Sequence, residues 1–481
     1  METGFPERCL PRFSLLDKTQ ILKLHESALR ILEEVGVRVL DSEGMTLLLD
    51  NGAKMIGKET LSLPAHMVGE SIGSAPKNLV IYNRNKSPVM ELGGRRIHFG
   101  TGTDLPKTID LETRIIRDTR EADITTAAVI SDALPHIDFI GSYGLPRDVA
   151  PGLHYIRCFH LETLHTKKPV FFTAESTKDL EVIYEMAGTI AGGKDLLSRY
   201  PFLIHYSEPV SPLTHSGEAV KKLLFCAKNR IPVTYTPALL AGSSGPVTLA
   251  GAVAVAVAEA LSGLTLHQLA GKGAPIISGI AATIMDMKRG TVSYTAPEFR
   301  LTHSACAELF HHYGLPVWGT AGCSDAQFPD LQAGAEYAFT LFNAALDGAN
   351  LIHDCGYMGQ GFIGSPEMIV FADEMIGFVK RYMEGFCIDR AHLALDVVRN
   401  VGPGGHFLGE KHTLDHFQHE QWQPNFFNRQ NLANWMEQGE KRIEAHLIEK
   451  AKHLREHHLP EPVAQDVREE LDRIWKNAQE R

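Results

Sequence analysis

The sequence predicts an α/β protein built around a (β/α)8 barrel, with an N-terminal α+β segment and a C-terminal helical extension. Three observations support this fold class. Eight short apolar runs end in polar residues or glycine, amphipathic stretches separate them, and 481 residues with 44% hydrophobic content can bury a large core. Strand–helix alternation repeated eight times is typical of a parallel barrel, whose strands are buried on both faces.

The first region, 1–92, is predicted to be a mixed helical and small-sheet segment. In "DKTQILKLHESALRILEEVGV" the apolar residues recur at the spacing of one helix face, and Gly36 ends the helix. The stretch "NLVIYNRNKSPVMELGGRRIHF" alternates between apolar and polar residues, which predicts a hairpin or a small sheet.

The barrel itself is predicted over 93–385. Several strands begin with proline after a typical helix end, which marks the change from helix to strand. Seven amphipathic stretches, from "READITTAAVISDAL" to "LQAGAEYAFTLFNAAL", separate the strands. The eight predicted strands are "RIHFGTG", "IDFIGSY", "PVFFTAE", "PFLIHYSE", "PVTYTPA", "APIISGI", "PVWGTAG" and "NLIHDCG".

The fifth helical stretch is apolar enough to raise the question of a membrane span. Residues 246–266 are almost wholly apolar and about as long as a bilayer is thick. Glu259 lies in the middle, where a carboxylate would cost roughly 2.5–3.5 kcal/mol on insertion scales. We therefore expect a closely packed barrel helix and no membrane association.

The region 386–481 is predicted to be a helical extension packed on the barrel. His412, His416 and His419 follow one another at intervals of four and three residues, so they share a helix face. Such spacing can hold a metal ion, but no carboxylate or cysteine completes a convincing ligand set. A solvated polar face is the preferred interpretation, and no metal site is predicted.

Composition and cysteine pattern favour a cytoplasmic protein. The formal net charge is −11, which argues against binding to nucleic acid or to anionic lipid. Seven cysteines include no CxxC pair, and the first residues, "METGFPERCLPRFSLL", lack the apolar core of a secretory leader.

Candidate site residues stand at the ends of the predicted strands, where barrel enzymes carry their active sites. This set is aromatic and mildly acidic, which suits a cationic or quaternary ammonium group. Alternatively, the aromatic side chains fill the barrel interior, and His205 with Glu208 forms a supporting ion pair. The predicted substrate-binding residues are Phe99, Tyr143, His205, Glu208, Tyr235, Trp318, His353 and Tyr357; Thr101, Glu175 and Tyr206 also stand at strand ends.

No catalytic residue is predicted from motifs. The HxH and HExxH metal motifs are absent from the sequence, and no cysteine can be assigned a histidine partner.

Several separated motifs resemble the trimethylamine methyltransferase-like family of corrinoid-dependent enzymes. They include "SEPVSPL", "GSSGPVTLAGAVAVAVAEALSGLTLHQLAGKGAP", "YGLPVWGTAGCSDAQFPDLQAGAEYAF", "LDGANLIHDCGYM" and "VGPGGHFLGEKHT". The resemblance implies a (β/α)8 barrel and methyl transfer from a methylated amine to cob(I)alamin. Because the chain contains only the twenty standard residues, it resembles the branch without pyrrolysine, whose members demethylate quaternary amines.

The resemblance implies a glycine betaine-type quaternary amine:corrinoid protein methyltransferase, with proline betaine or carnitine as further substrates. The chain lacks the DxHxxG motif of cobalamin binding. The expected arrangement is therefore that no cofactor is bound tightly, and that a separate corrinoid protein presents cob(I)alamin. A homo-oligomer is also expected. The alternatives are a barrel hydrolase or lyase that acts on a small polar substrate, and a non-catalytic betaine-binding protein.

Overall fold

The computed structural model describes residues 8–480, with a closed parallel barrel at the centre. Parallel pairing runs from the second to the sixth strand, and from the seventh through the eighth to the first. Single bridges at Gly100–Phe139 and Ser278–Val317 close the two remaining gaps. The predicted eight-stranded barrel is confirmed. Its strands are β1 (His98–Thr101), β2 (Ile140–Gly141), β3 (Val170–Phe172), β4 (Leu203–Ser207), β5 (Val233–Tyr235), β6 (Ile276–Ser278), β7 (Trp318–Thr320) and β8 (Leu351–Cys355).

A helix follows each strand and lies outside the barrel. Side-chain oxygens of Ser176, Ser216, Asp330 and Ser365 accept backbone N–H bonds where four of these helices begin. The seven predicted stretches are all helical, and the eighth helix completes the repeat. The helices are α1 (Glu121–Ala133), α2 (His154–His165), α3 (Thr177–Ala191), α4 (Gly217–Asn229), α5 (Leu249–Ala270), α6 (Pro297–His312), α7 (Leu331–Asp347) and α8 (Pro366–Met383), and the short helix Lys194–Arg199 follows α3.

Short strands in the loops after β1, β5, β6 and β8 surround the open end of the barrel. Ala238–Ala241 pairs with Ala281–Asp286, and Lys107–Ile109 pairs with Ile363–Gly364. These pairings tie neighbouring loops together around the mouth. The remaining short elements there are Ile116–Asp118, Thr291–Val292, Tyr357–Met358 and the 3-10 turn Gly359–Gly361.

The opposite end of the barrel is closed by a hairpin. Its strands Leu79–Tyr82 and Pro88–Leu92 pair in antiparallel fashion, as the sequence predicts. They place apolar side chains against the inner apolar cluster of the barrel, which leaves the carboxyl ends of the strands as the open end. That cluster contains Phe139, Phe171, Ile204, Ile277, Trp318 and Leu351.

The apolar helix α5 belongs to the protein interior. It is long and apolar enough to span a membrane, but 78% of its most apolar window is buried. The helix lies between the barrel and the N-terminal helices Lys18–Arg30 and Ala65–Ser74, so both of its faces are covered. Two covered faces explain why the helix has no polar side, and the predicted packed barrel helix is confirmed.

The N-terminal segment forms a small sheet and three helices beside α5. Helix Lys18–Arg30 continues as the π-helical turn Ile31–Val35 and ends at Gly36, whose φ of 77° suits glycine. Strands Val37–Val39, Lys54–Met55 and Thr60–Ser62 form the sheet, to which Thr214–His215 adds a fourth strand. Helix Ser42–Asp50 connects strand Val37–Val39 to strand Lys54–Met55 along the chain. Strand Arg8–Cys9 pairs with Phe386–Cys387.

The C-terminal region is helical, as predicted, while its exact boundary with the barrel stays a prediction. The last two helices, Ile443–His457 and Gln465–Gln479, pack on barrel helices. Four shorter helices precede them, at Arg390–Leu393, Leu395–Val401, Lys411–Glu420 and Leu432–Glu437. The rings of His412 and His416 lie 4.4 Å apart. Over residues 8–480, no three histidine, cysteine or acidic side chains are grouped as a metal ion would require.

Candidate active site

The backbone at the open end of the barrel is locally strained. Asp104, Tyr143 and Asp354 follow β1, β2 and β8, or lie within them, and have positive φ angles of 72°, 60° and 91°. Left-handed conformations of residues other than glycine cost on the order of 1–3 kcal/mol each and cluster at functional sites. Three such residues on adjoining strands mark this end as the candidate active site.

Four rings form an aromatic cluster inside the barrel, namely Phe171, Tyr206, Trp318 and His353. The His353 ring lies 4.9 Å from Phe171, 5.9 Å from Tyr206 and 5.1 Å from Trp318, measured between ring centroids. Tyr206 also lies 5.6 Å from Phe171 and 6.2 Å from Trp318. The rings come from β3, β4, β7 and β8, so the cluster crosses the whole lumen.

His353 and Asp354 leave polar atoms without partners beside this cluster. His353 Nδ1 lies 2.6 Å from Asp354 Oδ1, which is close enough for an ion pair. The two groups are not aligned for a hydrogen bond, and neither side chain has a hydrogen-bond partner within the described chain. Because buried polar groups are normally paired, these atoms are available to a bound molecule.

Asp104 and Glu208 form an acidic pair above the cluster. Asp104 accepts a hydrogen bond from Thr173 Oγ1 at 3.0 Å, and Glu208 accepts one from the Tyr206 hydroxyl at 3.0 Å. Thr173 and Glu208 each lie two residues beyond a ring of the cluster, so strand alternation points them into the lumen.

The pKa values of both acidic side chains are raised. Burial raises the pKa of Asp104 to about 6, although hydrogen bonds from Thr173 and other hydroxyls oppose the shift. Burial also raises the pKa of Glu208, and the negative charge of Asp104 adds to that rise. Glu208 remains accessible to solvent although protein surrounds it on most sides, as expected of a group lining an open cavity.

Tyr143 and Tyr357 lie in the wall of the mouth with their hydroxyls engaged. The Tyr143 hydroxyl lies 2.6 Å from Thr108 Oγ1. The Tyr357 hydroxyl accepts a bond from the Thr103 N–H at 2.6 Å and donates to the Thr103 carbonyl. These hydrogen bonds hold the loop after β1 in place. The two rings therefore support the wall beside the lumen.

Three predicted site residues lie on the outer face of the barrel wall. Phe99 and His205 belong to the layer between strands and helices, and His205 packs 5.0 Å from Phe172. Burial lowers the pKa of His205 to about 3, so the ring is neutral. The Tyr235 hydroxyl lies 2.8 Å from His215 Nδ1. Because successive strand residues point to opposite faces, residues next to lumen-facing ones point outward. These three side chains therefore point away from the lumen, and their contact with substrate stays a prediction.

The other predicted positions divide in the same way. Glu208, Trp318 and His353 face the lumen. Thr101 Oγ1 accepts the Gly141 N–H bond at 2.8 Å and so joins β1 to β2, while Glu175 is exposed beyond β3. Sequence reasoning missed Phe171, Asp104 and Asp354. The alternation of β3 could have indicated Phe171, whereas no pattern in the sequence indicates the other two.

Glu259 of α5 holds the loop that follows Glu208. Its carboxylate accepts hydrogen bonds from the Ser211 hydroxyl at 2.6 Å and the Leu213 N–H at 2.7 Å. Burial raises the pKa of Glu259 to about 7. The acid that argued against a membrane span therefore anchors a loop of the site.

A cavity of about 1420 Å³ lies outside the lumen, between α7, α8 and the C-terminal extension. Its lining includes Leu331, Phe371, Phe427 and Trp435. This outer cavity contains none of the features described above. We place the candidate active site at the open end of the barrel, because the strained backbone, the aromatic cluster and the acidic pair all lie at that end.

A family model described as trimethylamine methyltransferase (MTTB) matches residues 1–480. The chain belongs to this methyltransferase family. A trimethylamine methyltransferase of Desulfitobacterium hafniense (strain DSM 10664 / DCB-2) is 30% identical over 96% of the chain and 93% of the relative. A glycine betaine methyltransferase of Desulfitobacterium hafniense (strain Y51) is 30% identical over 89% of each chain.

Two solved structures of a methyltransferase share the fold. The monomethylamine methyltransferase of Methanosarcina barkeri superposes with a TM-score of 0.50 at 11% identity, over 92% of this chain and 89% of that one. The hydroxylamine complex of MtmB gives a TM-score of 0.53 at 11% identity, over 98% and 88%. At such low identity these structures support the barrel architecture alone.

Proposed function

We propose that this methyltransferase moves a methyl group from a quaternary amine to cob(I)alamin held by a separate corrinoid protein in the cytoplasm. Glycine betaine, proline betaine and carnitine were the expected substrates, and they share a methylated ammonium group. The two Desulfitobacterium hafniense relatives are both 30% identical to the chain and are named for different substrates, so identity does not choose between these substrates.

The aromatic cluster is the observation that carries this proposal. The faces of Phe, Tyr and Trp rings attract an ammonium ion by about 0.5–2 kcal/mol each, and three such rings, Phe171, Tyr206 and Trp318, line one lumen. The acidic pair lies on the mouth side of these rings, where it can balance the positive charge. No group in this arrangement needs to act as a nucleophile, because the methyl group passes to the corrinoid.

The residues of this chain bind and orient the amine. The rings hold the methyl groups and keep water away from them, so that the ammonium is presented in a fixed direction. When bound, the corrinoid supplies a strongly nucleophilic cobalt that accepts the methyl group. A corrinoid presented by a partner protein would need an open barrel mouth and accessible polar groups. Glu208 is solvent-accessible, and His353 and Asp354 have polar atoms without hydrogen-bond partners.

The decisive experiment mixes the full chain with a reduced corrinoid protein and a panel of quaternary amines. The expected result is a change in corrinoid absorbance on methylation that requires both the chain and an amine. Absence of methyl transfer from every amine of the panel would refute the proposal. Product formation without any corrinoid would indicate a hydrolase or lyase instead.

We also propose that the chain forms a homo-oligomer through its C-terminal extension. Large apolar side chains such as Leu408 and Leu414 are exposed there. Ion pairs such as Arg399–Asp396 and Lys411–Asp415 place both signs of charge between them, which suits a self-complementary surface. Light scattering should give a multiple of 53.1 kDa that falls after Leu408→Lys and Leu414→Lys substitution, and a wild-type monomer would contradict this.

A further inference from the structure

The charges around the lumen are predominantly negative. Asp104 and Glu208 face the mouth, and the Asp354 carboxylate lies 2.6 Å from Nδ1 of His353. The neighbouring cations are directed elsewhere. Lys222 Nζ donates to the Ala174 carbonyl at 2.6 Å, and Arg300 donates to the Thr320 carbonyl at 2.7 Å.

Tyrosine hydroxyls at the mouth experience the same negative surroundings. Burial raises the pKa of Tyr294, and the negative charges of Asp354 and Glu208 add to the rise. Burial likewise raises the pKa of Tyr155, with further contributions from Asp104 and Glu175. Tyr155 lies at the start of α2 and Tyr294 in the loop after β6, so the negative surroundings extend across the mouth.

We propose that the site takes a methylated ammonium ion whose other substituents carry no carboxylate, such as choline or tetramethylammonium. This inference rests on the proposed methyl transfer and replaces glycine betaine as the preferred substrate. In a betaine, a carboxylate lies within a few bonds of the ammonium and would enter a lumen that already holds Asp104 and Glu208. Like charges at such short range strongly disfavour binding.

A hydroxyl in place of the carboxylate fits the same positions. Each carboxylate has about four acceptor sites, so Asp104 and Glu208 retain acceptor capacity beyond the hydrogen bonds that they already accept. Choline and glycine betaine share a trimethylammonium group and a two-carbon tail, so the pair isolates the effect of the carboxylate.

The test compares kcat/KM for choline, tetramethylammonium and glycine betaine with reduced corrinoid protein. We expect choline to be preferred over glycine betaine by on the order of a hundredfold. Equal or better transfer from glycine betaine would overturn this inference and leave the proposed function intact. Transfer from none of the three would refute the proposed function itself.

Variants of the acidic pair test the cause. Asp104→Asn and Glu208→Gln should each raise KM for choline and narrow its advantage over glycine betaine by roughly tenfold. Glu185→Gln, on the exposed face of α3, is the matched control and should change neither value. Calorimetric binding of both amines without corrinoid gives an independent readout. If both lumen variants kept the wild-type ratio of choline to glycine betaine activity, the acidic pair would not be the cause of the preference for choline.

Discussion

Tyr206 connects the two parts of the site, because its ring belongs to the aromatic cluster and its hydroxyl reaches Glu208. Tyr206→Leu removes the ring and should weaken binding of tetramethylammonium roughly 2- to 30-fold, as expected for one cation–π contact. Isothermal calorimetry measures this change directly. Tyr206 is only partly buried, so the substitution should leave the fold intact.

Tyr206→Phe is the matched control for the ring. It keeps the aromatic face and removes only the hydrogen bond to Glu208, so tetramethylammonium should bind with nearly the wild-type affinity. A hydroxylated amine should lose more, because the unpaired Glu208 carboxylate is then less well positioned. Equal losses in Tyr206→Leu and Tyr206→Phe would show that the ring does not contact the ammonium.

Asp104 should make amine binding depend on pH. Burial raises its pKa to about 6, so the carboxyl becomes protonated as the pH falls through 6 and loses its attraction for a cation. A bound cation stabilises the ionised form, and linkage therefore weakens binding on the acidic side. Calorimetry with tetramethylammonium should show affinity several-fold lower at pH 5 than at pH 8. Asp104→Asn should flatten that dependence, and a flat wild-type profile would contradict this role.

At the scale of the element, β4 shows how far a sequence can position side chains. Its apolar run identifies the strand, and His205, Tyr206 and Glu208 all stand near its end. A strand buried on both faces carries apolar residues on each side, so composition does not tell which face is the lumen. Once Tyr206 is known to face the lumen, Glu208, two residues later, must face it too, and the adjacent His205 must face outward.

Strand alternation does not predict the positions of Asp104 and Asp354. Their positions depend on left-handed backbone angles at strand ends, which alternation does not anticipate for residues other than glycine. A pattern of apolar residues locates regular elements, whereas irregular backbone is fixed by tertiary contacts such as the bond between Tyr357 and Thr103.

Helix α5 provides a prediction at this scale through Glu259. Glu259→Ala leaves the Leu213 N–H and the Ser211 hydroxyl without their acceptor, and because both donors are partly buried each loss should cost about 1 kcal/mol. The free energy of unfolding should fall accordingly in urea titrations. Ser211→Ala removes one of these bonds and should cost less, while Glu185→Gln should cost nothing measurable. Wild-type stability in Glu259→Ala would show that the loop is held by other contacts.

For the whole molecule, the architecture was predictable because it repeats. Eight separate strand signals supported one another, and an error in any one would have left the barrel recognisable. Each loop at the mouth occurs once, and its shape depends on pairing with other loops, as for Ala238–Ala241 with Ala281–Asp286. The fold was therefore accessible from sequence, while the detailed form of the mouth was not.

Apolar side chains on the mouth loops supply the last prediction, which concerns the corrinoid partner. Met287 is 72% exposed and Leu331 is 94% exposed, and they lie in or directly after the loops that follow β6 and β7. A partner that covers the mouth would bury them, so Met287→Asp and Leu331→Asp should each raise KM for the corrinoid protein about tenfold. Calorimetric binding of the amine should stay unchanged, because neither residue lines the lumen.

Leu459→Asp is the control for these two substitutions. Leu459 is 87% exposed and lies near the ion pair of Glu461 with Lys167, at the closed end of the barrel. An equal rise in KM with the control substitution, or none in the rim variants, would place the docking surface elsewhere.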